Sequence, residues 1–259
     1  MMDPGAPATP SVPRGLLVAA LRSSSGKTTV TLGLLRALAR RGLAVAGAKC
    51  GPDYIDPAFH AAATGRASLN LDSWSMSPAL LAHLARQSAA GADLLVAEGL
   101  MGLFDGVPAA PGRSGASADV AAALGLPVVL VHDVSGQSQS AAAIVAGVRA
   151  YAPDLALAGV ILNRVGSERH TRLVSDAIRA IGVEVFGAIP RSPDVTVPER
   201  HLGLVQAEET AGLDRLIDRM ADLVAAHVDL DRLAASARPL APVASGSARP
   251  LPPPGGRIA

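Results

Sequence analysis

Short unbroken apolar runs alternate along this chain with stretches whose apolar residues recur every three or four positions. Residues 15–21 (GLLVAAL) form the first run, as a strand covered on both faces would. Further strands are predicted over 45–50, 93–98 (DLLVAE), 127–133 (PVVLVHD), 157–163 and 183–189. After the first run, Val30, Leu32, Leu34, Leu35 and Leu38 build one apolar helix face, and Gly42 stands where such a helix stops. Other helices are predicted over 78–90, 138–150 and 167–181, with a closing helix over 206–227. Strands alternating with helices imply an α/β fold, a mostly parallel sheet with helices on both faces. Two stretches break the rhythm. Residues 99–118 are Gly-rich and aperiodic, the kind of long loop that carries function or stays disordered. Residues 236–259 are rich in Pro, Gly, Ser and Ala, as an inter-domain linker is, a disordered tail being the plainer alternative. The expected organisation is a flexible tail over 1–14, one domain over 15–235, and a linker over 236–259 whose further domain is missing.

Composition narrows the function classes. The chain has 259 residues with 23 basic and 22 acidic side chains, so its net charge of +1 gives no reason to expect nucleic acid or an anionic membrane. Aromatic residues make up 2%, too few for base-stacking platforms. The single cysteine, Cys50, excludes an internal disulfide and any Cys-rich metal site. The apolar runs are too short for a membrane span, and the cytoplasm is the expected compartment. Of the 23 basic residues only Lys27 and Lys49 are lysines, and asparagine occurs only at Asn70 and Asn163. Rare residue types retained at a few places direct attention to their chemistry.

Ser23-Ser24-Ser25-Gly26-Lys27-Thr28-Thr29 lies between a buried strand and a helix start, the setting of a phosphate-binding P-loop. Backbone N–H groups and the helix dipole would face the phosphates there. Lys27 would reach the β- and γ-phosphates of ATP, and the Thr28 hydroxyl would hold Mg²⁺. Small residues let the backbone wrap the anion, but Ser24 would pay about 1 kcal/mol for positive φ. Glu98 ends an apolar strand, where ligands gather in such sheets, and is a candidate metal-side acid. Asp53 is a second candidate for the metal or, alternatively, the anchor of a tight turn. Lys49, four residues before it, can neutralise a developing phosphate or carboxylate charge. Asp105, in the aperiodic loop, reads as a general acid/base, a positioning group or a turn-forming Asp-Gly. Asn163 ends a strand and could read an adenine edge or cap the next helix. His132 reads as packed rather than catalytic. No zinc or serine hydrolase pattern is present.

Seven segments together resemble the N-terminal synthetase domain of the cobyrinic or hydrogenobyrinic acid a,c-diamide synthases: LRSSSGKTTVTLGLLRAL, KCGPDYIDPAFH, LNLDSW, AEGLMGLFDG, VVLVHDVSGQSQSAAA, GVILNRVGSERH and GAIPRSPDVTVPERHLGL. GPDYIDP combined with EGLMGLFDG is the specific part. The resemblance implies a dethiobiotin-synthetase-like, P-loop NTPase-like fold. It implies ATP-dependent amidation of the a and c carboxylates of a corrinoid acid, with glutamine or ammonia as nitrogen donor. By the same resemblance Asp53, Glu98 and Asp105 line the catalytic site; the reading of the residues themselves adds Lys49 and expects Thr28, Asp53 and Glu98 to surround Mg²⁺. Tyr54 and Ile55 would sit near the corrinoid and influence which carboxylate enters. Asn163 and the loop from Pro190 would contact the adenine. Ser24 stands where relatives usually carry Gly. Family members continue into a glutaminase domain, and Cys50 lies outside any glutaminase context. The expectation is therefore ammonia-dependent amidation unless a glutaminase partner is supplied. A homodimer is compatible with the resemblance. Cobyrinate, hydrogenobyrinate and another tetrapyrrole such as a nickel sirohydrochlorin remain open as substrates. A partitioning-type P-loop ATPase, which would carry a second P-loop lysine where Arg22 stands, is the alternative from another class.

Overall fold

A computed structural model describes residues 12–192, 195, 207 and 212–242 of the chain. Seven parallel strands form the sheet: β1 (Arg14–Ala19), β2 (Val45–Cys50), β3 (Leu69–Leu71), β4 (Leu94–Glu98), β5 (Val128–Asp133), β6 (Leu157–Val165) and β7 (Val185–Pro190). Their order is β3-β2-β4-β1-β5-β6-β7, and β8 (Arg238–Pro239) adds to β1 in the antiparallel sense. The helices are α1 (Lys27–Arg40), α2 (Asp56–Thr64), α3 (Pro78–Ser88), α4 (Ser117–Leu124), α5 (Ser140–Tyr151), α6 (Glu168–Ala180), α7 (Leu213–His227) and α8 (Leu230–Ala235). The alternation read from the apolar runs is thus the observed architecture.

The strands are apolar throughout because both faces are covered. Leu16 and Val18 of β1 join the core under α1, α2, α7 and α8. Leu17 and Ala19, pointing the other way, join the core under α3, α4, α5 and α6. Parallel register then aligns the strand ends that matter. Val18 pairs with Glu98, and Glu98 pairs with Lys49 on its other side. Three adjacent carboxyl-terminal strand ends therefore present the P-loop, an acid and a lysine in one row.

Differences from the expected elements have local causes. Ala20 and Leu21 leave the first strand early because the chain turns there into the phosphate loop. The helix α2, the three-residue β3 and α4 were not anticipated; each is short and carries too few turns to show a period. The aperiodic loop ends at α4, which begins at Ser117. Of the closing helix, Leu213–His227 is described, and most of the expectation before it lies outside the described residues. The packed unit also runs past 235. Leu240 is 3% exposed, its N–H donates to the Pro13 carbonyl, and the Ala241 N–H donates to Leu124. At the other end Arg14 already belongs to β1, its guanidinium donating to the carbonyls of Ala235 and Ala237. No helix among the described residues is long and apolar enough to cross a membrane.

Helix α1 sets the direction of the P-loop, and α7 braces it. The two meet at Gly33, where a Cβ would stand 2.5 Å from Val224 Cγ2 and 2.6 Å from the Met220 carbonyl oxygen. Arg36 and Arg40 pair with Asp214 and Asp222 across the seam at 2.8 Å each, but these pairs are exposed and contribute little. Close backbone packing is the stronger link. Gly33→Ala should therefore destabilise the fold by about 1–3 kcal/mol despite alanine's better helix propensity, as chemical denaturation would read.

Candidate active site

The loop between β1 and α1 has the backbone a phosphate cradle requires. Gly26 precedes α1 at φ 85°, with no side chain capping the helix, so the first N–H groups of α1 are unclaimed by a cap. Glycine is required there twice over, because a Cβ would also stand 2.2 Å from Asn163 Nδ2. Ser24 does adopt positive φ, at 60°. Ser23 and Ser24 are exposed, while Ser25 is buried and its hydroxyl donates to the Arg22 carbonyl at 3.0 Å. Thr29 lines a cavity beside the loop together with Gly26, Asn163, Arg164 and Pro190. That cavity measures about 460 Å³.

Glu98 is the centre of the polar cluster, with no solvent exposure. The Thr28 hydroxyl donates to its Oε1 at 2.6 Å, and Lys49 Nζ donates to the same oxygen at 3.1 Å. Lys27 Nζ lies 3.7 Å from it. The other oxygen, Oε2, lies 2.8 Å from His60 Nε2. Lys49, itself 2% exposed, also contacts Asp56 closely and lies 3.9 Å from Asp53 Oδ2. Burial alone would protonate Glu98, but Lys49, the His60 hydrogen bond and Lys27 outweigh it and hold the carboxyl well below the usual range. For Lys49, burial again opposes the charge, and Glu98 and Asp56 outweigh it, raising its pKa. Asp56 is pushed up by burial and by the Glu98 charge, in spite of Lys49. Burial lowers Lys27 against the pull of Glu98. The Cys50 thiol, fully buried, is pushed up to about 12 by burial and is no nucleophile.

Other expected residues take definite places. Asp53 Oδ1 accepts the N–H groups of Ile55 and Asp56 at 2.9 and 3.1 Å, so this carboxylate anchors the turn into α2 and meets Lys49 with its other oxygen. Tyr54 is 66% exposed, whereas Ile55 packs partly against the core. Asp105 is exposed and accepts the Gly102 N–H at 2.8 Å, closing a turn that rests on the start of the P-loop through Leu103 and Ala20. The structure does not join it to the Glu98 cluster. Asn163 does not cap α6, a task done by Ser167. Its Nδ2 donates to the Ser25 carbonyl at 2.8 Å, tying β6 to the phosphate loop. Much of the segment beyond Pro190 lies outside the described residues. His132 is buried against Gln137, as expected of a packed histidine. Asp133 accepts from both Arg22 and Arg164, at 2.8 and 2.7 Å. Asp56, the second carboxylate in the stretch from Lys49, had been given no role, and His60 was not anticipated. The signal for His60 was its place four residues after Asp56 on the helix that follows the Gly-Pro turn, which puts both on one face.

The donor set can be tested against a divalent cation. Among the described residues no three His, Cys, Asp or Glu side chains converge as a self-sufficient cage. A hydroxyl from Thr28 with a carboxylate behind it suits Mg²⁺, which keeps several waters and takes phosphate oxygens as ligands. The residues present fit that group with Thr28 in contact and Glu98 supporting it.

A strand, a glycine-hinged loop, a helix opening on unclaimed N–H groups and a buried acid on the neighbouring strand define a P-loop nucleotide-binding domain. The chain belongs to the CobQ/CobB/MinD/ParA nucleotide-binding domain family, whose pattern matches residues 16–205. It is 58% identical over 246 residues to the hydrogenobyrinate a,c-diamide synthase of Mesorhizobium japonicum, covering 95% of this chain and 56% of that protein. It is 57% identical over 249 residues to the enzyme of the same name from Rhodobacter capsulatus, with the same coverage, 95% and 56%. The chain thus spans little more than half the length of these relatives. Among solved structures, chloroplast FtsY from Physcomitrella patens superposes with a TM-score of 0.51 at 16% identity, over 82% of this chain and 66% of that one, a likeness of fold.

Two outcomes follow from the cluster. Lys49→Met would take the nearest cation from the buried Glu98 and the half-buried Asp56 and should cost about 3–5 kcal/mol, measurable by urea denaturation. A depressed carboxyl stabilises the fold above its ordinary pKa, 4.5 for Glu98, and that stabilisation is lost as pH falls towards its lower folded value. Removing Lys49 raises the folded value, so the variant should unfold at higher pH than the parent on acid titration followed by circular dichroism.

Proposed function

We propose that this domain uses ATP to activate side-chain carboxylates of a corrinoid acid, the a and c arms of hydrogenobyrinate, for amidation. The observation that carries the reading is the pairing of Lys27 and Thr28 with the buried Glu98, in a chain 58% identical to a synthase of that name over 95% of its length. A carboxylate is a poor electrophile with a poor leaving group. A substrate carboxylate oxygen attacks the γ-phosphorus, the bond to the β-phosphate bridging oxygen breaks, and ADP departs. Ammonia then attacks the acyl carbon and phosphate leaves with the C–O bonding pair. One proton of the ammonia passes to a base.

The chain's own residues contribute position and charge. The Gly26 loop amides and Lys27 hold the phosphate tail. The Thr28 hydroxyl, with Glu98 behind it, would hold Mg²⁺, which when bound would supply positive charge to the phosphates. Lys49 stays protonated beside Glu98 and offsets negative charge as the phosphoryl group moves. Asp53, whose Oδ2 lies 3.9 Å from Lys49 Nζ, is the carboxylate assigned to orient the amine or take its proton. Asp105 supports the loop beside the P-loop, and Tyr54 and Ile55 border the substrate's approach. The cavity beside Asn163, floored by Pro190, suits the adenine. Glutamine serves through a glutaminase function as the ammonia source. No observation favours the partitioning-type alternative, since the Arg22 guanidinium is bound to Asp133 at 2.8 Å.

Incubation with ATP, Mg²⁺, ammonium and hydrogenobyrinic acid, with mono- and diamide products resolved by mass spectrometry, tests the reading. Amide formation should be accompanied by ADP release that requires the corrinoid. Lys27→Ala should lower turnover about 10²–10³-fold, the scale of losing one donor to a developing anion. ADP release that ignores the corrinoid, or amidation untouched by this substitution, would sink the proposal.

A further inference from the structure

Helix α2 carries a buried titratable side chain that the amidation scheme above leaves without a task. His60 has no solvent exposure, and neither does Glu98, to which its Nε2 lies at 2.8 Å. The contact depends on a gap in β2. A Cβ on Gly47 would stand 2.8 Å from His60 Cβ, so glycine at that position lets α2 lie close enough for the ring to reach across β2 to β4. The far side of the ring is also held, with Nδ1 lying 3.2 Å from the Ser68 hydroxyl. Glu98 is ionised and can only accept, so Nε2 donates to it. In the neutral ring Nδ1 is then the acceptor, and Ser68 donates to it.

The two oxygens of Glu98 are therefore divided. Oε2 is claimed by His60, and Oε1 receives Thr28 and Lys49 and faces Lys27. From this we infer that His60 is a positioning residue for phosphoryl transfer: it locks the rotation of the Glu98 carboxylate so that one oxygen stays on the phosphate side and orients the Thr28 hydroxyl. The inference rests on the proposed amidation for its kinetic readout. Nucleotide binding gives a readout independent of it. Groups that stand behind a ligand and fix its orientation typically matter 10–100-fold to affinity or activity.

Three variants separate hydrogen bonding from bulk. The amide nitrogen of Gln reaches the place of Nε2, whereas that of Asn stops near Nδ1. Turnover with ATP, ammonium and hydrogenobyrinic acid would be measured for His60→Gln, His60→Asn and His60→Ala. The Mg²⁺ concentration for half-maximal binding of a fluorescent ATP analogue and the thermal unfolding of each would accompany it. His60→Asn and His60→Ala should lose about 10–100-fold in turnover and need more Mg²⁺, with His60→Gln recovering most of both. If His60→Ala fails to fold, the comparison of Gln with Asn decides. Equal losses in Gln and Asn, or no loss in either, would overturn the assignment. A parent protein without corrinoid-dependent turnover would sink the amidation proposal instead, and the Mg²⁺ dependence of nucleotide binding would still judge His60.

Discussion

One ionised carboxylate, taken wholly out of water, organises the carboxyl-terminal edge of this sheet. Burying a lone charge costs several kcal/mol, so Glu98 is tolerable only with its partners in place. Those partners come from three separate segments: Lys27 and Thr28 from the P-loop helix, Lys49 from β2, and His60 from α2. Each must arrive at the correct strand register or helix depth, or the charge is stranded. The electrostatic demand of one side chain thereby ties the phosphate loop, the second strand and helix α2 into a single arrangement. The geometry of this polar cluster and the stability of the fold are the same constraint at this point.

The sequence was legible where chemistry is local. The strand runs, the Ser-Gly-Lys-Thr turn before a helix and an acid ending an apolar strand could all be read in short windows, because strand, loop and helix follow one another directly. The row formed by Val18, Glu98 and Lys49 follows from parallel register once the strands are paired. Partners fixed by tertiary docking were not legible. His60 and Glu98 are 38 residues apart and meet only because Gly47 admits α2. Asn163 serves the phosphate loop through Ser25, 138 residues earlier, and no local pattern distinguishes that tether from a base contact or a cap. The packing of residues 238–241 was hidden for a similar reason. Pro and Ala read as linker composition, yet Arg238 and Pro239 find an open edge on β1, and Leu240 finds an apolar hole beneath it.

The phosphate loop itself combines a required glycine with a strained serine. A Cβ at Gly26 would be strained at φ 85° and would push the Asn163 amide off the loop, whereas Ser24 holds φ 60° in an exposed position where only backbone preference opposes it. A cost of about 1 kcal/mol there is easily carried by a domain with two well-filled core layers. The bracing of α1 against α7 at Gly33 keeps the helix, and so the loop, from yielding to that strain.

The shared carboxylate at Asp133 has a mechanical meaning. Arg22 leads into the phosphate loop, and Arg164 borders the neighbouring cavity in a left-handed backbone conformation, with φ 61°. Both guanidinium groups rest on the same oxygen, Oδ2. A displacement of either arm shifts the negative charge on which the other sits. The entry to the phosphate loop and the rim of the neighbouring cavity are thereby moored to one side chain at the end of β5.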